Sequence, residues 1–274
     1  MAQANLFSKE LLDKLSRAVS VAVLTGAGVS AESGVPTFRG QEGLWKKFHP
    51  QELATVEAFM RNPELVWEWY RHRRELLSTV HPNPGHRALA ELEGRYGDFT
   101  LITQNIDGLH RQAGSRTVLE LHGNVRRNRC MECGQTYEDV ALSQKPSVPL
   151  CRCGGKIRPD VVWFGESLDR ETLEQALVAS TRCQIFLCVG TSAVVHPAAS
   201  LPMVALQGGA YLVEINIEPT ALSSQAGQFI QGPSGEVLPL MLKALDRYED
   251  RAAQADSKNL RLCDGQEIPG RRCS

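Results

Sequence analysis

No run of about 18 apolar residues occurs anywhere in the chain, which excludes a membrane-spanning helix. An excess of either charge is also missing. The formal net charge is −1, so no overall field draws the chain to nucleic acid or to an anionic membrane. Residues Met1 to Glu10 lack a basic start followed by an apolar core, the mark of a secretory signal. A cytoplasmic location is therefore expected, in preference to a mitochondrial matrix reached through a presequence. Internal repeats are absent, so a solenoid is not expected. What remains is ordinary soluble composition, 42% hydrophobic and 22% charged. At 274 residues the chain exceeds the usual size of one core, and one large domain carrying a small module is the economical reading.

Cysteine is present in a telling arrangement. Cys130 and Cys133 form a CxxC, and Cys151 with Cys153 a CxC, inside one polar insert of about Val125 to Pro159. Four thiolates suit tetrahedral zinc, and a site closed by four protein ligands holds shape without an open position for water or substrate. One structural zinc is expected, with the chemistry elsewhere. Of the other cysteines, Cys183 and Cys188 sit in an apolar run and read as core, while Cys263 and Cys273 lie near the end without an evident role. Such usage fits a reducing compartment better than a disulfide framework.

Apolar β-like runs recur at Val21–Leu24, Phe99–Thr103, Val118–Leu121, Ile185–Val189 and Tyr211–Ile215. Helical spacing appears at Leu6–Ala18, Pro63–Leu77, Gly85–Glu93, Leu168–Ala179 and Pro197–Leu206. Strands alternating with helices predict an α/β fold, a Rossmann-like doubly wound parallel sheet. Two inserts interrupt it: a helical one at about 38–83, and the cysteine insert at about 125–159, which reads as a zinc ribbon. Residues 6–245 form the expected domain, and 246–274 a polar, mobile tail.

The first strand runs into Thr25-Gly26-Ala27-Gly28-Val29-Ser30-Ala31. Strand, Gly-x-Gly, then a helix start is the first turn of a dinucleotide fold, where backbone amides face a pyrophosphate. An ordinary β–α turn reads the same way. Polar residues also follow other strands: Gln104-Asn105-Ile106-Asp107, Gly190-Thr191-Ser192 and Asn216-Ile217-Glu218. Ligands of open α/β sheets bind outside such strand ends. His122 directly follows an apolar strand and precedes glycine. An imidazole there can serve as a base near neutral pH or as a structural residue.

These motifs, with Gly34-Val35-Pro36-Thr37-Phe38-Arg39, Leu121-His122-Gly123-Asn124 and Phe164-Gly165-Glu166, appear in the order seen in sirtuins, and the chain resembles that family over about Leu6 to Leu245. The resemblance implies a protein deacylase that consumes NAD, a point a dinucleotide fold alone does not decide. It implies that Gly26, Ala27, Gly28 and Ser30 cradle the NAD phosphates and that Phe38 and Arg39, with Trp45, belong to a loop over the cofactor. Gln104, Asn105, Ile106 and Asp107 would line the nicotinamide pocket. Gly190, Thr191, Ser192, Asn216, Ile217 and Glu218 would hold the adenosine part, with Ser234 against adenine. Val162, Trp163, Phe164 and Gly165 would pair with the substrate peptide as an added strand. His122 would be the general base, with Asn105 beside it as a second catalytic residue. The acyl oxygen of an acyl-lysine would displace nicotinamide, and His122 would deprotonate a ribose hydroxyl. That hydroxyl would attack the alkylimidate, and water would complete the reaction, releasing free lysine and an O-acyl-ADP-ribose. The expected partners are acyl-lysine protein or peptide substrates, without nucleic acid or membrane, and the chain is expected to be a monomer.

Tyr70 and Arg73 stand three apart in Trp67-Glu68-Trp69-Tyr70-Arg71-His72-Arg73-Arg74, and so share a helix face. By spacing alone this is a basic, solvated face. The resemblance implies otherwise: Tyr-x-x-Arg here, with Thr37, marks the sirtuin branch that removes succinyl, malonyl and glutaryl groups. Ala54 and Val56 would leave room for the longer chain. The alternatives are deacetylation without acidic preference, mono-ADP-ribosyl transfer on the same scaffold, and a non-enzymatic reader that binds NAD or nucleic acid.

Overall fold

The computed structural model describes residues 6–37, 50–138 and 148–264. Nine strands are assigned among them: β1 Ser20–Thr25, β2 Asp98–Thr103, β3 Val118–Glu120, β4 Gly123–Cys130, β5 Thr136–Tyr137, β6 Ile157–Val161, β7 Ile185–Val189, β8 Tyr211–Asn216 and β9 Gln228–Gln231. The helices are α1 Lys9–Arg17, α2 Gly28–Ala31, α3 Pro50–Leu53, α4 Val56–Arg61, α5 Pro63–Thr79, α6 Pro84–Glu93, α7 Leu109–Gln112, α8 Arg170–Arg182, α9 Leu201–Gln207 and α10 Ser234–Asp264.

Six strands form a parallel sheet in the order β3-β2-β1-β7-β8-β9. Its central strands are buried on both faces, which is why they read as continuous apolar runs instead of alternating ones. On one face α1, α6 and α10 supply Leu11, Leu15, Leu89, Leu92, Leu238, Met241 and Leu245 to the core. On the other, α8 and α9 supply Ala176, Leu201 and Ala205. This is the doubly wound sheet the alternation predicts. Strand order reverses between β1 and β7, and the crevice at such a switch point opens at the carboxyl ends of the strands.

Helix starts follow local chemistry. Asn62 caps α5 ahead of Pro63, and Asp169 caps α8. Asn83 and His86 form a reciprocal capping box at the start of α6. Both inserts fold into one smaller body. β5, β4 and β6 make an antiparallel sheet, and Phe59, Val66, Trp67, Tyr70 and Leu77 from α4 and α5 share its core with Val125, Ile157, Val161 and Trp163.

Three features depart from the sequence reading. β9 was not expected, because only Ile230 of Gln-Phe-Ile-Gln is buried, leaving no apolar run to see. The segment expected to be α9 alone begins as a 3-10 turn at Ala198–Ser200. α10, absent from the helices expected, runs from Ser234 past Leu245 to Asp264. Its extension carries the helix-forming run Arg251-Ala252-Ala253-Gln254-Ala255, and Arg95 pairs with Asp246 and Glu249. Among the described residues no helix is long and apolar enough to cross a membrane.

Candidate active site and metal centre

The glycine turn after β1 packs against the turn after β7 at backbone distance. Gly26 donates to Val189 O at 3.1 Å and Gly28 to Gly190 O at 2.8 Å. A Cβ on Gly28 would sit 2.7 Å from Gly190 O, and Gly190 itself has φ +57° with only 2.5 Å from such an atom to Val29 N. The glycines are therefore demanded by contact between two turns, whether or not a phosphate also approaches them.

The strand-end residues converge on that floor. Gln104 Nε2 donates to Thr191 Oγ1 (2.9 Å), and Asn216 Nδ2 to Thr191 O (3.1 Å). Asn105 Nδ2 donates to Gly26 O (3.0 Å) and to Ser30 Oγ (3.2 Å). Ser30 Oγ donates to Asp107 Oδ2 at 2.8 Å. Ile106 is tied in by its carbonyl, which accepts from Val125 N. Ile217 is 63% exposed beyond β8, and Ser192 and Glu218 are exposed as well. Ser234 is buried at the start of α10, where Glu32 accepts from its hydroxyl (3.4 Å) and from Gly235 N (2.7 Å). Gln104, Asn105, Asp107, Thr191 and Asn216 are thus brought together through the glycine turns and Ser30, whereas Ser192, Ile217 and Glu218 lie at the exposed end. Phe38, Arg39 and Trp45 lie outside the described residues.

His122 stands at the join between the two bodies. Its Nδ1 lies 2.9 Å from Gln104 O. A carbonyl only accepts, so Nδ1 carries the proton and Nε2 the lone pair. Burial pulls the imidazole pKa below its ordinary value, partly offset by that carbonyl. The neutral, basic form therefore prevails near pH 7.

Beneath Asn105 and Asp107 lies a buried polar layer that the sequence reading missed. His86 Nδ1 accepts from Asn83 N (3.3 Å), so His86 Nε2 bears the proton facing Ser30 Oγ (3.3 Å). Its ring is 4.8 Å from that of His110, which contacts Thr25 Oγ1 at 2.9 Å. Burial lowers the His86 pKa to about 4 and that of His110 well below its ordinary value, so both rings stay neutral. The signal was Asn83-x-x-His86, a capping spacing just before a helix.

The segment after β6 links the base to the helical insert. Val162 N donates to His122 O, and Phe164 N to Ala54 O, each at 2.9 Å. Phe164 is 44% exposed and Gly165 is exposed, while the Trp163 side chain turns inward. Trp163 Nε1 donates to Tyr70 OH at 2.9 Å. Tyr70 and Arg73 are each 5% exposed, so the face expected from spacing to be solvated is buried. Burial pushes the Tyr70 hydroxyl up to about 12, and burial lowers the Arg73 pKa against the pull of Tyr70 and Asp107.

The four cysteine sulfurs lie within 4.8 Å of one another. Cys130–Cys153, Cys133–Cys151 and Cys133–Cys153 are separated by 3.5, 3.6 and 3.5 Å. Zinc–sulfur bonds of about 2.3 Å imply tetrahedron edges of about 3.8 Å, so the set fits zinc. The cluster belongs to the smaller body, bonded by β4 to its sheet.

The Sir2 family profile matches residues 26–197. The NAD-dependent protein deacylase 2 of Pyrobaculum aerophilum is 52% identical over 237 residues, covering 86% of this chain and 94% of the relative. A solved complex of a Sir2 homologue with NAD is 43% identical with a TM-score of 0.82, covering 88% of this chain and 94% of that one. A Sir2–p53 peptide–NAD+ complex is 35% identical with a TM-score of 0.75, covering 86% and 97%. With its parallel sheet, paired glycine turns and four-sulfur cluster, the chain belongs to the Sir2 family.

Proposed function

We propose that this chain is an NAD-dependent protein-lysine deacylase that favours acyl groups ending in a carboxylate. The observation that carries the preference is the buried pair Tyr70 and Arg73, one turn apart on α5. A phenol held protonated and a buried guanidinium offer a carboxylate a charge-assisted, forked contact. Ala54, whose carbonyl holds Phe164, sits beside the same segment and adds no bulk there.

NAD, consumed in the reaction, supplies the ribose that takes up the acyl group as nicotinamide leaves. The chain's residues would do the rest. Gly26, Ala27, Gly28 and Ser30 would meet the phosphates at the switch point, and Gly190, Thr191, Ser192, Asn216, Ile217, Glu218 and Ser234 the adenosine. Gln104, Asn105, Ile106 and Asp107 would border nicotinamide. His122 Nε2 would accept a ribose hydroxyl proton, its ring oriented by Gln104 O. The amides of Val162, Trp163 and Phe164 are engaged within the chain, so a peptide laid along this segment would be met through carbonyl oxygens and Gly165. The cysteines would hold one structural zinc outside the reaction. A cytoplasmic monomer remains the proposed setting.

Succinyl- and acetyl-lysine peptides, compared with the unaltered chain and with Arg73→Met, test the preference. Losing the contact should cost about 1.5–3 kcal/mol, roughly ten- to a hundredfold, on the succinyl peptide alone. Equal loss on both peptides would remove the carboxylate-reading role.

A further inference from the structure

Phe164-Gly165-Glu166 ends on a carboxylate that no role above uses. Glu166 receives three close donors: Arg158 Nη1 at 2.6 Å, Arg158 Nη2 at 2.8 Å and Trp163 N at 2.8 Å. Arg158 is only 2% exposed, donates also to Val161 O at 2.6 Å, and lies 3.3 Å above the Trp163 ring. Trp163 in turn donates to Tyr70. One guanidinium therefore fixes both the backbone and the indole of the segment between His122 and Ala54.

Burying an arginine for stability alone is a poor bargain, because desolvation consumes most of the attraction. Its planar fork does something an apolar residue cannot: it sets the angle of the indole plane and the path of the backbone together. We propose that Arg158 and Glu166 are a positioning pair for substrate. They hold Val162–Gly165 in register with His122 and orient Trp163 so that the Tyr70 hydroxyl is aimed. The pair works from behind the segment, through Trp163. This rests on the reading of Val162–Gly165 as the peptide-binding segment.

The test uses Glu166→Gln and Arg158→Lys in the full chain. Lysine keeps the charge but cannot both stack and fork. The KM for an acyl peptide should rise about tenfold in each, while kcat and NAD affinity, the latter by titration calorimetry, change less than about threefold. The succinyl-to-acetyl ratio should fall with it, as Tyr70 loses its aim. A folded Arg158→Lys enzyme with wild-type peptide KM overturns the proposal. So does loss in kcat alone, the mark of a merely structural pair. If Glu166→Gln does not fold, Arg158→Lys decides. Nicotinamide release by the unaltered chain is the control. If it requires acyl peptide, a flat KM in the variants sinks the positioning pair alone; if no acyl peptide triggers release, both readings fall.

Discussion

The strands β1, β7 and β8 of the larger sheet bury apolar side chains on both faces, and their turns touch through bare backbone. In the smaller sheet, β4 alone carries Arg126, Arg127 and Arg129, and charges alternate across it. Glu120 pairs with Arg127 (2.7 Å), Arg127 with Asp160 (3.1 Å), Arg129 with Asp160 (3.8 Å) and with Glu166 (3.4 Å). Shape holds the first body; in the second, sulfur and charge add to the apolar core shared with α4 and α5. The first would suffer from one extra carbon, the second from one lost ligand, and the candidate site lies where they meet.

The largest effect should come from taking the metal. Chelation is expected to abolish deacylation by unfolding the smaller body. Hydrogen exchange should show lost protection in β4, β5 and β6 with β1, β2, β7 and β8 still protected. Simultaneous loss in both sheets would erase the distinction. Next comes the join itself. His122→Tyr should lower kcat by roughly a hundred- to ten-thousandfold with NAD binding retained. A base works deprotonated and burial has lowered this pKa, so wild-type kcat/KM should hold through neutral pH and fall on acidification with a midpoint below 6.5. A midpoint above that value would contradict the burial assigned to the ring. The smallest effect belongs to the larger sheet: Gly28→Ala should cost about 1–3 kcal/mol of stability, read as a lower midpoint in urea. An unchanged midpoint would mean that the two turns can part.

The comparison also explains what could be read beforehand. Strands buried on both faces leave continuous apolar runs, so five of the parallel strands and most of the helices between them were legible, while β9, with one buried apolar residue, and α10 were not. Cysteine spacing announces itself because ligands must converge on one ion. Tyr70 and Arg73 showed their shared face, but spacing alone pointed to solvent; burial comes from Trp163 and β6, distant in sequence. His86 and His110 left almost no trace, since a buried polar residue has no period. Glu166 was visible only as part of a motif, and its partner Arg158 lay unremarked within the cysteine insert, where no period marks a buried charge.

Glu32, just beyond the glycine turn, grips the Gly235 amide in the first turn of α10, and the core side chains of that helix end at Leu245. The last helix is thus latched to the first loop by a single carboxylate. Cutting the chain after Leu245 would remove the Arg95 pairs with Asp246 and Glu249 and spare the latch, whereas cutting before Gly235 would strip the opening loop of the wall against which it rests.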